Sequence, residues 1–231
     1  MKSPLLPLCF VALLSLFCLT ASAQKTENRT LAPFSRIKSS SSFDVVLEKG
    51  SRESVRIEAR NVDPAKVITE VRDGQLRLAL ERGTYRRIQV KVYVTYRELE
   101  EIALSGSGNI LGNDPIQARA LNIIDSGSGN ITLGRLEVDR LLVKLSGSAN
   151  LRLAGRADDA IIQVSGSGNV EAFDLRVKTS EVRISGSGNV NLSVSQGIDA
   201  QVSGSGNVNY RGNPASAYVK TSGSGRIRAV N

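Results

Sequence analysis

The sequence predicts an all-β solenoid with about 20 residues in each coil. The pentapeptide Ser-Gly-Ser-Gly-Asn recurs through the second half of the chain at steps of 18 to 21 residues, and apolar and polar residues alternate on both sides of it. A fixed period near 20 is typical of solenoids, in which one coil cannot bury its apolar side without its neighbours. The copies and close variants begin at Ser105, Ser126, Ser146, Ser165, Ser185, Ser203 and Ser222.

Residues 1–23 have the features of a signal peptide. Lys2 precedes an apolar run, and Ala-Ser-Ala at 21–23 fits the small-x-small rule for cleavage, so the mature chain is expected to begin at Gln24. The apolar run is short for a membrane span, which needs about 20 apolar residues. A bulky residue before Cys18 disfavours a lipoprotein. The protein is therefore expected in the periplasm, on the outer surface or outside the cell.

The first half of the mature chain lacks the Ser-Gly signature. Residues 24–33 are predicted to form a polar leader, and residues 34–104 irregular coils that begin the stack, because an exposed coil end offers unpaired strand edges. A separate small β domain is the alternative, although no Pro/Gly-rich linker marks a boundary near Leu104. The strand signals are alternating runs at 43–47, 55–59 and 88–94, and the runs 67–71 and 76–80 around the turn Asp73-Gly74.

Residues 105–231 are predicted to form regular coils, each with two short strands and the Gly-rich pentapeptide as the corner between them. Alternating apolar and polar positions on either side indicate strands with one buried face. Glycine is expected in such a corner because it allows positive φ or close stacking of backbones. The asparagines are expected to stack about 4.8 Å apart and form a hydrogen-bonded ladder of Asn109, Asn130, Asn150, Asn169, Asn189 and Asn207.

One outward-facing row lies two residues before each corner. Its members are Lys144, Gln163, Arg183, Gln201 and Lys220. The three cations are two coils apart, about 10 Å. A solvated sheet face is the simpler interpretation. The functional interpretation is an anionic-ligand stripe of Lys144, Arg183 and Lys220, which would meet an acidic polysaccharide or a lipopolysaccharide phosphate layer.

The mature chain would contain neither histidine nor cysteine, because Cys9 and Cys18 both lie in the signal peptide. This excludes Ser-His-Asp and Cys-His catalysis and an ordinary zinc site. No catalytic, metal or cofactor-binding residue is predicted. A carboxylate-based glycosidase or lyase would need acids at the same outward position in neighbouring coils. The aspartates lie at different offsets, and one of them, Asp125, is expected to point inward and bond a turn; the candidates are Asp114, Asp125, Asp139, Asp158, Asp159, Asp174 and Asp199.

The mature net charge is +7, from 29 basic and 22 acidic residues, which is compatible with an anionic surface. No lysine-arginine block or aromatic stacking platform points to nucleic acid. Polysaccharide or an envelope surface is the expected partner, and the oligomeric state stays open.

The order of the motifs resembles the DUF2807 family, labelled putative auto-transporter adhesin, head GIN domain. The resemblance rests on the stretches 43–47, 73–78 and 92–95, followed by the Ser-Gly-Ser-Gly corners, and it covers nearly all of the mature chain. It implies a pectin-lyase-like, right-handed parallel β-helix with a role in adhesion and no established catalytic residues. An auto-transporter also needs a C-terminal membrane barrel, and this chain is expected not to export itself that way because it ends at Asn231.

Two functions therefore stay open. The first is an exported, non-catalytic β-solenoid that mediates cell-surface or envelope adhesion. The second is a polysaccharide-active enzyme, a lyase or glycosidase, that uses carboxylates on the same fold. Aligned outward acids in a cleft would favour the enzyme, and a flat, uniform face would favour the binding protein.

Overall fold

The computed structural model describes residues 24–230, and the expected signal peptide at 1–23 lies outside the described residues. Within that range the chain forms β-strands and one turn of 3₁₀ helix, Pro64–Lys66, with no α-helix. The strands are β1 (Lys25–Thr30), β2 (Arg36–Ser39), β3 (Asp44–Lys49), β4 (Ser54–Arg60), β5 (Val67–Arg72), β6 (Gln75–Leu80), β7 (Gln89–Tyr96), β8 (Glu101–Leu104), β9 (Ile110–Gly112), β10 (Ile116–Asp125), β11 (Ile131–Leu145), β12 (Asn150–Val164), β13 (Asn169–Ile184), β14 (Asn189–Gly204), β15 (Asn207–Arg211), β16 (Ser216–Gly223) and β17 (Arg226–Ala229).

The regular coils form the β-solenoid that the period predicted. Strands β10 to β14 pair in parallel, each with the equivalent strand one coil away. Asn150 stacks on Asn169, which stacks on Asn189, so the steps of about 20 residues in the sequence are single coils of the structure. The buried positions of successive coils form columns that run along the axis and build one continuous core.

Most regular coils contain a third short run that sequence analysis did not predict. Leu136 and Val138 are buried and pair with Ala-containing runs on the adjacent coils, and Leu175 and Val177 occupy the same place two coils later. The bend before this run varies in length, with register shifts such as the one between Leu133 and Leu136. Because of this variation, the apolar residues of the third run lie at different distances from the corner serine in different coils. The coil has three sides rather than two.

The irregular half joins the same hydrogen-bonded stack in an order that differs from the chain order. Strand β2 pairs in parallel with both β6 and β8, and β3 pairs in parallel with both β7 and β9. The coil formed by β2 and β3 is thus inserted between the coil of β6 and β7 and the first Ser-Gly coil. No strand pairing is interrupted near Leu104, where β8 continues the column into β10.

Antiparallel strands cover the N-terminal end of the solenoid. Strand β4 pairs with β7, β1 pairs with β4, and β5 pairs with β6. The segment read from the sequence as a polar leader thus contains β1. Its Arg29 donates hydrogen bonds to the carbonyl oxygens of Val67 (2.6 Å) and Pro64 (2.9 Å) and to Thr69 Oγ1 (2.8 Å), which holds β1 against β5.

Candidate ligand-binding groove

The Gly-rich corners stack directly on one another. A Cβ atom on Gly166 would overlap the carbonyl oxygen of Gly147 in the coil below, and Ser167 N donates a hydrogen bond to that same oxygen at 3.2 Å. Close approach of backbones, rather than positive φ, is therefore what excludes a side chain here. The stacked corners keep the strands in register, so that equivalent side chains form straight rows.

The asparagine directly after each corner forms a ladder along the axis. Each amide Nδ2 donates to Oδ1 of the asparagine one coil away, at 2.8–3.1 Å. The ladder begins on Asp44, whose Oδ1 accepts from Asn109 Nδ2 at 2.8 Å. Because these amides are bonded to one another, the ladder acts as structure and leaves little capacity for a ligand. Its members are Asn109, Asn130, Asn150, Asn169, Asn189 and Asn207.

A second, shorter ladder lies two residues further along. Arg228 Nε donates to Asn209 Oδ1 (2.9 Å), and Asn209 Nδ2 donates to Asn191 Oδ1 (2.7 Å). Asn191 Nδ2 then donates to the carboxylate of Glu171 (2.9 Å). The row runs from a residue that only donates to a residue that only accepts, so every amide within it is satisfied. The sequence signal for it is a polar residue at the seventh position, counted from the corner serine, in most coils: Thr132, Arg152, Glu171, Asn191, Asn209 and Arg228.

A groove of about 680 Å³ runs along the side that precedes the corners. One wall is the outward row read from the sequence, in register from coil to coil: Ile124, Lys144, Gln163, Arg183, Gln201 and Lys220. The other wall is the row of first corner serines, all exposed: Ser146, Ser165, Ser185, Ser203 and Ser222. The groove crosses six coils, about 24 Å at the spacing of parallel strands.

The cations of the row differ in their surroundings. Arg183 forms an ion pair with Glu181, and Gln201 Nε2 donates to Asp199 Oδ1 at 3.3 Å. Among residues 24–230, neither Lys144 nor Lys220 forms an ion pair. The groove thus carries an unpaired ammonium toward each end and a paired guanidinium midway.

Most of the candidate aspartates form a hydrogen bond or an ion pair with another residue. Asp114 Oδ2 accepts from the backbone amide of Lys49 at 2.8 Å, and Asp158 pairs with Lys178 at 2.7 Å. Asp159 accepts from the hydroxyl of Thr179, whereas Asp139 and Asp174 are exposed.

One pair of outward acids does occupy the same position in adjacent coils. Glu181 is the register partner of Asp199, and both line a shallow groove of about 440 Å³ with Asp159 and Tyr218. Sequence analysis considered aspartates alone and missed Glu181, which aligning the strands before the corners would have found. The carboxylate of Glu181 is held by Arg183 and that of Asp199 contacts Gln201, so both are engaged at the edge of the basic row.

Asp125 points into the core, as the sequence indicated. Its Oδ1 accepts from the backbone amide of Gly127 at 2.7 Å, whereas its buried Oδ2 has no partner. Burial raises the pKa of this carboxyl to about 6, and the bond from Gly127 opposes that rise. The equivalent residues of the adjacent coils are Leu104 and Leu145, so Asp125 interrupts an apolar column.

Within the described residues, no cluster of three acidic, histidine or cysteine side chains has the arrangement of a metal site. No helix in that range is long and apolar enough to span a bilayer.

Comparison with known proteins identifies the family and the fold. The family model described as DUF2807, putative auto-transporter adhesin, head GIN domain, matches residues 33–214. A search of curated proteins finds no relative.

Solved structures give the same fold. A putative adhesin from Bacteroides fragilis is 23% identical with a TM-score of 0.85, and a putative lipid binding protein from Parabacteroides distasonis is 24% identical with a TM-score of 0.76. A putative adhesin from Parabacteroides merdae is 23% identical with a TM-score of 0.75. Each match covers 91% of this chain and 98% of the other.

Proposed function

Because the chain belongs to the DUF2807 family of head GIN domains, we propose that it is an exported, non-catalytic protein that binds a cell surface or the bacterial envelope. The observation that carries the proposal is the groove beside the corner serines, with unpaired Lys144 and Lys220 in one straight row. In this proposal residues 1–23 are the cleaved signal peptide and residues 34–231 are the binding solenoid.

The shape of the groove favours an elongated ligand that lies along the solenoid axis. Its two rows repeat once per coil, so a linear polymer meets a corner serine at each step of about 4.8 Å and a cation at every second step from Lys144 to Lys220. Serine hydroxyls both donate and accept hydrogen bonds, which suits sugar hydroxyls, and lysine ammoniums attract anions. We therefore propose an acidic polysaccharide as the ligand.

The charge pattern supports binding rather than hydrolysis or elimination. A glycosidase places two carboxylates on opposite sides of the bond that breaks, with one available as a proton donor. Here the outward acids in register, Glu181 and Asp199, are adjacent on one side of the solenoid and are bonded to Arg183 and Gln201. In this proposal the two carboxylates hold Arg183 and Gln201 at the edge of the row, and Glu181 reduces the charge that Arg183 offers to a ligand.

The test is retention of the folded protein on immobilised polygalacturonate, with neutral dextran as the background. The triple variant Lys144→Gln, Arg183→Gln, Lys220→Gln is expected to lose at least tenfold in affinity. Retention of the wild type is expected to fall as salt rises past about 0.15 M, where charges more than roughly 8 Å apart are screened.

A matched control removes the same charge from outside the groove. Arg119, Arg135 and Arg152 are exposed, and none of them forms an ion pair among the described residues. Their triple replacement by glutamine is expected to lower retention less than threefold. Equal loss in the two triple variants would contradict the groove, because net charge alone would then account for binding. Stronger retention on anionic lipid vesicles would replace the polysaccharide by a lipid surface, and release of reducing sugar would overturn the non-catalytic assignment.

A further inference from the structure

Within the described residues, additional strands cover the N-terminal end of the solenoid but not its C-terminal end. At the C-terminal end, β16 pairs with β14 and β17 pairs with β15, and among residues 24–230 no strand pairs with the other edge of either. Val219 on β16 belongs to the inward column of Ile162, Val182 and Ala200. These three residues are fully buried, whereas Val219 is 49% exposed. The last coil therefore presents an open strand edge with an uncovered apolar position.

The N-terminal end shows how this fold covers such an edge. Strand β4 adds to β7 in the antiparallel direction and places alternate apolar side chains, Val55, Ile57 and Ala59, over the core. All three are at most 1% exposed. The residues between them are charged and point away from the core. A matching cover at the other end would be an extended segment with apolar residues at every second position.

Charge indicates the chemistry of that segment. The last acidic residue of the chain is Asp199, whereas four cations follow it: Arg211, Lys220, Arg226 and Arg228. The strands that cover the N-terminal end carry both signs, with Glu27, Glu58 and Glu70 among them. The open end thus has four cations and no acidic side chain of its own, and its charge complements an acidic partner.

We propose that the C-terminal end of the solenoid is a strand-addition site for an extended acidic segment of another protein. The segment pairs with the free edge of β16 through its backbone, as in known modes of β-augmentation. Its apolar side chains cover Val219, and its carboxylates meet the cations of β16 and β17. The site adjoins the groove and shares Lys220 of the last coil with it, but it does not depend on the groove's ligand.

The experiment uses two ten-residue peptides that are soluble at neutral pH. One peptide alternates Val and Glu, and the other alternates Val and Lys. Binding is measured by fluorescence anisotropy, and the site is located by hydrogen exchange. The Val-Glu peptide is expected to bind at least tenfold more tightly than the Val-Lys peptide and to slow amide exchange within 216–229. Replacing one central residue of the Val-Glu peptide by proline is expected to cost at least tenfold, because proline removes a backbone donor.

Variants of the protein separate this site from the groove. The double variant Arg226→Glu, Arg228→Glu is expected to reverse the preference between the two peptides, and Val219→Lys to weaken binding of the Val-Glu peptide at least fivefold. Lys144→Gln, a groove variant, is expected to leave peptide affinity unchanged. The proposal is overturned if proline makes no difference, if protection appears away from 216–229, or if the chain alone forms a dimer that Val219→Lys dissociates. The last result would assign the edge to a second copy.

Discussion

The corner between β2 and β3 and the corners of the regular coils solve the same turn with different residues. The first reads Ser-Ser-Ser-Phe at 40–43 and contains no glycine, whereas every later corner begins Ser-Gly-Ser. A Cβ atom on Gly106 would overlap the backbone oxygen of Ser41, and one on Gly127 would overlap that of Gly106. Each glycine is thus required by the corner beneath it. The coil beneath the corner at 40–43 is formed by β6 and β7. The chain between those two strands follows a different path, so no stacked corner lies beneath residues 40–43.

The sharpest way to break this comparison is to place valine in one corner of each kind. Gly166→Val places its Cβ against the carbonyl oxygen of Gly147, and the backbone of two coils must move. We expect a loss of about 3 kcal/mol in the free energy of unfolding, measured by urea denaturation. Ser42→Val, in the exposed part of the early corner, is the control and is expected to change it by less than about 0.5 kcal/mol. Similar losses in both variants would mean that valine destabilises a corner of either kind, and that contact with the corner beneath is not the cause.

Asp125 offers a second test, because it places a carboxyl where neighbouring coils have leucine. Its folded pKa of about 6 lies above the ordinary value of 3.8, so the folded state binds the proton more tightly than the unfolded chain does. The buried charge therefore destabilises the protein above pH 6, and stability rises as pH falls from 6 toward 3.8. A difference of about two pKa units corresponds to about 3 kcal/mol.

We expect Asp125→Leu to raise the free energy of unfolding at pH 7 by about 1–2 kcal/mol, since loss of the bond from Gly127 offsets part of the gain. The wild type is expected to gain stability between pH 7 and pH 4.5, and the variant is expected to lose that gain. Urea denaturation at the two pH values measures both effects. Asp125→Asn is the control that keeps the shape and removes the charge. An unchanged pH dependence in both variants would show that other carboxyls determine it.

The period in the sequence predicted the parts of the fold that repeat with constant spacing. The stacked corners, the buried runs beside them and the register of Asn130 with its neighbours all depend on the corner, whose length does not vary. Leu136 was missed because the bend before it varies in length. The insertion of β2 and β3 between later strands was missed because local alternation carries no information on which distant strand is the neighbour. The ion pair of Glu181 with Arg183 joins two residues on the same face of one strand, and it was missed because sequence analysis considered aspartates alone.

The asparagine ladder connects the early coil to the regular coils. Its loss is expected to change the free energy of unfolding less than the two preceding changes do. Asn150 donates two hydrogen bonds to Asn130 and accepts one from Asn169, at the exposed edge of a corner. We expect Asn150→Ala to cost about 1 kcal/mol, because exposed amides can bond to water instead. Asp44→Asn keeps the acceptor for Asn109 in the early coil and is expected to cost less than about 0.5 kcal/mol. Thermal denaturation compares the two, and a larger loss for Asp44→Asn would mean that the ladder requires its terminal charge.

The outward positions, where corners impose no such requirement, differ from coil to coil and give the smallest expected effect. Glu181 stands where the preceding coil has Ile161 and holds Arg183, whereas Lys144 and Lys220 in the same groove have no ion-pair partner among the described residues. Glu181→Gln frees the guanidinium, and breaking an exposed pair changes the free energy of unfolding by less than about 1 kcal/mol. We expect affinity for polygalacturonate to rise about two- to threefold, with the melting temperature nearly unchanged. Glu137→Gln, which removes one carboxylate away from the groove, is the control for net charge. If both variants raise affinity equally, Arg183 contributes no more than its share of net charge, and binding depends on the lysines at the two ends of the groove.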